Sequence, residues 1–168
     1  MKARSEQVLA MPAPLLGESD LVPDFLGAFA ILEREGSYLF VQNERKIGGA
    51  ATRTWDLPGG QVESGELLLE ALARELAEEA RIAIAAPPEF AFFQEGERRE
   101  TGRRLYTWRS FFFRVAAFSG EPRAGAEVLA VRWIPRSELV SLLTAPYHDS
   151  FLHWVEHGGM THSSVWNE

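Results

Sequence analysis

No cysteine occurs among the 168 residues of the chain, which excludes disulfides, thiolate metal centres and cysteine nucleophiles. Long apolar runs are missing as well. Phe25 to Leu32 is near-continuously apolar, yet it falls far short of the roughly 20 residues that a bilayer span requires. Positive charge is in deficit: 17 Lys and Arg face 24 Asp and Glu, a net charge of −7, which argues against a broad nucleic-acid-binding face. Near the N-terminus, Met11-Pro12-Ala13-Pro14 and the acids that follow interrupt any secretory apolar segment, so a cytoplasmic location is expected. The rest of the composition, 46% hydrophobic and 24% charged, suits one soluble globular domain with a sizeable core.

The most informative stretch runs from Pro58 to Ala80. Pro58-Gly59-Gly60 offers a fixed φ followed by two residues free to take φ > 0, and so predicts a turn. From about Gly65 no Gly or Pro occurs until Pro87, and Leu, Ala, Glu and Arg dominate, which predicts a helix. Leu69, Leu72, Ala73, Leu76 and Ala80 fall on one apolar face, and Ser64 is available as the N-terminal cap.

Glu75, Glu78 and Glu79 share a single arc beside that face, near the end of the helix. Like charges at these spacings repel, and they crowd toward the negative end of the helix dipole. A solvated acidic face is one reading of them. A site for Mg²⁺ or Mn²⁺ is the other, because such ions prefer carboxylate oxygens and would relieve the repulsion.

The stretch resembles the Nudix box, G-x5-E-x7-R-E-U-x-E-E-x-G-U, where U is a bulky aliphatic residue. Gly60, Glu66, Arg74-Glu75-Leu76-Ala77-Glu78-Glu79 and Ile82 take the matching positions, and Trp55-Asp56-Leu57-Pro58-Gly59-Gly60 is similar to the family's lead-in. One position departs, since Arg81 stands where the box has its second glycine. The resemblance implies an α/β fold: a Nudix-type α/β/α sandwich with a mixed central sheet and the catalytic helix after the Gly-rich turn. It also implies that Glu75, Glu78 and Glu79 hold the metal with the carbonyl of Gly59, that Arg74 orients the acids, and that Glu78 and Glu79 are catalytic. Glu66 matches a supportive glutamate. Only the helix exit is touched by Arg81, where a left-handed cap suits Gly better than Arg.

Around this core, residues 1–23 read as a lead-in segment and 24–168 as the domain. Strands are predicted near Phe25–Glu33, Tyr38–Gln42, Glu89–Gln94, Leu105–Phe118 and Glu127–Ile134. Helices are predicted over Pro135–Leu143 and Ser150–His157. Asn43 to Thr54 reads as a polar loop whose Arg45, Lys46 and Arg53 either meet substrate phosphates or stay solvated. Glu95 to Arg104 reads as a charged hairpin tip, with Arg98 offering bidentate donors to a diphosphate or to water. Trp108 and Tyr106 share one strand face, to stack on a nucleobase or to fill the core. Glu127, ahead of Arg132-Trp133, resembles the family's late acid and is either a further metal ligand, a general base or a surface acid. His153 and His157 have the spacing of a zinc pair but no third ligand nearby, so a structural pair is expected.

The expected activity is metal-dependent hydrolysis of the pyrophosphate linkage of a nucleoside diphosphate joined to another moiety, nucleoside triphosphates included. The expected partner is a small nucleotide, and many members of the family are homodimers. The proline about fifteen residues past the box in ADP-ribose hydrolases is absent, with Glu97 there instead, and Tyr106 comes too late for the diadenosine polyphosphate signature. No coenzyme A or NADH signature is visible, and the lead-in resembles the MutT-like nucleoside triphosphate enzymes. The alternative is a Nudix domain that binds nucleotide as a sensor without cleaving it. Such domains usually lose box glutamates, and none is lost here.

Overall fold

A computed structural model of the chain describes residues 22–47 and 49–167. Nearly all of the lead-in expected over 1–23 lies outside the described residues. Among the described residues, eleven strands and three α-helices follow one another: β1 (Asp24–Ile31), β2 (Glu33–Arg34), β3 (Ser37–Ile47), β4 (Ala50–Asp56), β5 (Gly59–Gln61), α1 (Leu68–Ala80), β6 (Ala83–Ile84), β7 (Glu89–Glu100), β8 (Arg103–Arg114), β9 (Phe118–Ser119), β10 (Ala130–Pro135), α2 (Leu139–Leu142), α3 (Asp149–His157) and β11 (Thr161–Asn167). The main sheet has the order β11-β7-β8-β1-β5. It is mixed, because β1 runs parallel to β8 and β11 parallel to β7, whereas β7 with β8 and β1 with β5 are antiparallel. A second sheet joins β10, β3 and β2, with β4 also paired to β3.

Alternation along β1 builds a core on each side of the main sheet. Ala28 and Ala30 pack with Leu72, Leu76 and Ala80 of α1. Phe29 and Ile31 turn the other way, toward Phe40, Phe112, Leu139 and Phe151. Small side chains on the α1 side let the helix lie close to the strand. This is the α/β/α layering that the box implied.

Three local expectations change. Asn43 to Thr54 is mostly hairpin rather than loop, because Asn43 to Ile47 pair antiparallel with Ala50 to Thr54. Likewise β7 and β8 pair out to Glu100 and Arg103, so the tip is only Thr101-Gly102, both at positive φ as a two-residue hairpin turn requires. Finally, β10 begins at Ala130 instead of Glu127. The preceding segment is engaged at the end of α1, where Arg123 and Gly125 donate backbone N–H groups to the carbonyls of Ala80 and Glu79. β11 has no counterpart in the sequence reading.

Candidate active site

Helix α1 begins later than Ser64 suggests, since Gly65 at φ +85° breaks the helical path. Glu70 does the capping instead, accepting the N–H of Leu67 at 2.9 Å. The buried stripe of α1 is Ala71, Leu72, Glu75, Leu76, Glu79 and Ala80, whereas Leu69 and Ala73 face outward. Two of the three acids therefore lie within the core-facing stripe, not beside it. Glu78 is the solvent-reaching member.

The Pro-Gly-Gly turn explains how two carboxylates fit there. A Cβ on Gly60 would come within 2.5 Å of a Glu75 carboxylate oxygen, and one on Gly59 within 2.3 Å of the Ala28 carbonyl. Lacking both, β5 lies directly against β1 and α1, and the Gly59 N–H donates to Glu79 Oε2 at 2.9 Å. Burial pushes the Glu79 carboxyl up to about 7; the Gly59 N–H opposes this, while the Glu75 charge adds to it. Burial also raises Glu75, against the pull of Arg74 and with help from Glu78 and Glu127. Arg74 grips Glu66 through Nε and one terminal nitrogen at 2.9 and 3.0 Å, and its other terminal nitrogen reaches Glu75 at 2.9 Å and Glu78 at 3.1 Å. Glu127, exposed on the loop after Gly125, is close enough for its charge to act on Glu75.

Hard oxygen donors that are buried, crowded and reluctant to ionise are the donor set that a divalent cation stabilises, so these residues fit Mg²⁺ or Mn²⁺.

A cavity of about 440 Å³ is walled by the pocket face of the main sheet and by the α2–α3 segment, with Arg45 and Asp56 in its lining. Pairing register puts Phe25, Trp108 and Gly96 in one row across that face, and Phe29 with Phe112 in another. Trp108 lies flat over Gly96, where a Cβ would meet the indole at 2.1 Å. The Trp108 Nε1–H and the Ser150 hydroxyl are buried without a hydrogen-bond partner among the described residues. Arg98 lines the same cavity, its guanidinium 5.8 Å from the ring centre of Trp166. Arg53, in contrast, is exposed, stands opposite Glu44 in the β3–β4 register and is not among the residues that line this cavity.

Arg45 occupies the position on this side of the hairpin that the sequence reading shared among three cations. It is held by Asp56, a carboxylate that also accepts from Asn43, Thr54, Tyr147 and His148, with donor distances of 2.9 to 3.1 Å. Burial alone would raise the Asp56 carboxyl, but the His148 hydrogen bond, the Arg45 charge and the Asn43 amide hold it well below the usual carboxylate range. The Nδ1 of His148 accepts the Ala145 N–H at 3.2 Å, which assigns its proton to Nε2, facing Asp56. Charges on Arg45 and Asp56 both act on Glu79, so the cavity and the acids form one electrostatic unit. Asp56 lies inside the Trp-Asp-Leu-Pro-Gly-Gly lead-in, but its five donors come from segments far apart in sequence, and no spacing rule gathers them.

Comparison with known proteins bears on the same region. The NUDIX domain profile matches residues 25–155. The chain is 32% identical over 149 residues to the human 8-oxo-dGDP phosphatase NUDT18, covering 86% of this chain and 41% of that protein. It thus spans less than half the length of this relative. It is 30% identical over 95 residues to the 8-oxo-dGTP diphosphatase of Escherichia coli K12, covering 56% of this chain and 68% of that one. The MutT protein of Bacillus halodurans shares the fold with a TM-score of 0.68 at 23% identity, over 85% of this chain and 89% of the other. The ORF135 protein of E. coli superposes with a TM-score of 0.61 at 26% identity, over 80% and 93%. With an intact set of box acids on α1 and a family match across most of its length, the chain belongs to the NUDIX domain family as a MutT-like Nudix hydrolase.

Proposed function

We propose that the protein hydrolyses the pyrophosphate linkage of a nucleoside diphosphate derivative with the help of Mg²⁺ or Mn²⁺. The observation that carries this reading is the buried Glu75–Glu79 pair, raised by burial and within electrostatic reach of Arg45 and Asp56, which line a cavity large enough for a nucleoside. Glu75, Glu78, Glu79 and the Gly59 carbonyl would hold the ion, with Glu127 reaching in from its loop. A bound divalent ion supplies charge neutralisation at the phosphates and a more acidic water.

The chain's own groups do the rest. Arg74 keeps the carboxylates apart and aimed, a task that such supporting partners perform at metal sites. Glu78 and Glu127, the acids that reach solvent, are the ones able to take a proton from the attacking water. Arg45, anchored by Asp56 through Nε, keeps its terminal nitrogens for a substrate phosphate. Trp108 and its aromatic neighbours would receive the base. Its indole N–H and the Ser150 hydroxyl both want a partner, which a base carbonyl supplies. Arg98 lines the far wall of the same cavity. The names of the related phosphatases make 8-oxo-dGDP and 8-oxo-dGTP the first substrates to try.

Phosphate or pyrophosphate release from a panel of nucleoside diphosphate derivatives with Mg²⁺ or Mn²⁺, run beside Glu79→Gln, tests the reading. Metal-dependent turnover that falls by about two orders of magnitude in the variant is expected. Tight nucleotide binding with no turnover on any member of the panel would replace hydrolysis with a sensor role.

A further inference from the structure

Four histidines occur in the chain. One, His148, is buried against Asp56; the other three gather at the opposite end of α3. His153 and His157 lie one turn apart on the helix with ring centres 4.8 Å apart, and β11 brings His162 to 5.4 Å from His153. The third imidazole, missing from the sequence reading, thus arrives from the strand beyond the Gly158-Gly159 turn.

The spacing is informative. Two imidazoles that share a tetrahedral zinc through nitrogens about 2.0–2.1 Å from it have ring centres about 5 Å apart. Among the described residues no three donors already converge on one point, and this holds equally for the acids of the Nudix box. His153 and His157 are exposed, so side-chain rotation alone can aim their rings. The His153 imidazole forms no hydrogen bond among the described residues and meets only the rings of His157 and His162. Carboxylates stand behind the outer two: Asp149 Oδ2 is 3.5 Å from His162 Nε2, and Glu156 Oε2 is 3.5 Å from His157 Nε2. Such acids orient metal-bound imidazoles and offset cationic charge.

We propose that His153, His157 and His162 form a second metal site, for a nitrogen-preferring first-row divalent cation such as Zn²⁺, distinct from the oxygen-donor cluster on α1. Imidazole suits zinc, cobalt and nickel, whereas Mg²⁺ is a poor match for it. The site bridges α3 and β11. Asp149 already ties the two by accepting from Ser164 at 2.8 Å. A bound ion would add a further tie and pin the strand that carries Trp166 to the cavity wall.

The test uses the full untagged chain in excess Mg²⁺, which occupies the box acids. Zn²⁺ titration by calorimetry should show about one equivalent bound, and Co²⁺ should give the visible absorption of a nitrogen-ligated, low-coordinate ion that Zn²⁺ then displaces. His162→Gln and His153→Gln should each weaken Zn²⁺ binding by about tenfold or more. They should also abolish the rise in Tm that Zn²⁺ produces in the parent protein, while leaving Mg²⁺-dependent turnover and the far-ultraviolet spectrum unchanged. Glu79→Gln should keep the Zn²⁺ site, which separates this proposal from the hydrolytic one. Absence of Zn²⁺ binding, or a His162→Gln protein that binds Zn²⁺ as tightly as the parent, would overturn it.

Discussion

Arg81 stands at φ +58° and ψ +31° as the residue that ends α1. The left-handed turn lets Ile82 donate its N–H to the Leu76 carbonyl and tuck its side chain into the α1 core, so the conformation is kept although the side chain disfavours it. A β-carbon in this region costs about 1 kcal/mol. Arg81→Gly is therefore expected to raise Tm by about 2–4 °C, read in a thermal melt, with turnover unchanged. The departure from the box is a local cost in stability that leaves every acid in position. Asp56 shows the opposite case, a charge that the fold has surrounded with donors. Its folded-state carboxyl is depressed by His148, Arg45 and Asn43 against the effect of burial, so its contribution is present above the ordinary carboxylate range and is lost only on strong acidification. Asp56→Asn should cost about 3 kcal/mol in urea denaturation, since it leaves Arg45 facing an amide.

At the scale of elements, α1 was the most legible part of the chain, because its acids, arginine and glycines sit at fixed spacing within one continuous segment. Even there, the stripe was misjudged: Leu69 and Ala73 are exposed and Ala71 is buried, a rotation that carries Glu75 and Glu79 into the core. Periodicity ranks apolar residues and has no means of expecting two buried carboxylates. The pH behaviour follows from that burial. Glu79, raised to about 7, keeps a proton in the native state that the unfolded chain releases from about pH 4.5 upward. Metal-free stability should therefore fall as pH rises through this window, and saturating Mg²⁺ should reduce the fall. Apparent Mg²⁺ affinity should tighten with rising pH, by up to about tenfold per unit, and level off above about 7. Melts at several pH values with and without Mg²⁺ check both signs. The β3–β4 hairpin was hidden for a different reason: its outer half is dominated by polar and charged residues such as Asn43, Glu44, Arg45, Lys46, Thr52 and Arg53, and backbone pairing there is sustained by register with the buried half near Val41 and Asp56.

For the molecule as a whole, the cavity is assembled from both ends of the described chain. Pro23 and Phe25 contribute at one end and Trp166 at the other, with the β7–β8 face and the α2–α3 segment between them. No local pattern reveals such a site, and β11 in particular reads as a polar tail, Thr-His-Ser-Ser-Val-Trp-Asn. Trp166 is nonetheless a wall residue remote from the acids. Trp166→Ala should raise KM by about tenfold, the weight of one aromatic contact, while kcat stays within about twofold. Steady-state kinetics on the best substrate decides it: a loss confined to kcat would remove Trp166 from the binding wall. No described helix is long and apolar enough to cross a bilayer.

β11 also has a temporal meaning. It pairs in parallel with β7, Thr161 opposite Phe93, so its register waits on an element made much earlier and on the whole intervening chain. During synthesis α1 and its acids leave the ribosome long before Trp166 does. The acids proposed for hydrolysis can therefore be in place while the proposed nucleoside pocket still lacks its Trp166 wall, and on that reading nucleotide affinity is acquired after the acidic cluster has formed.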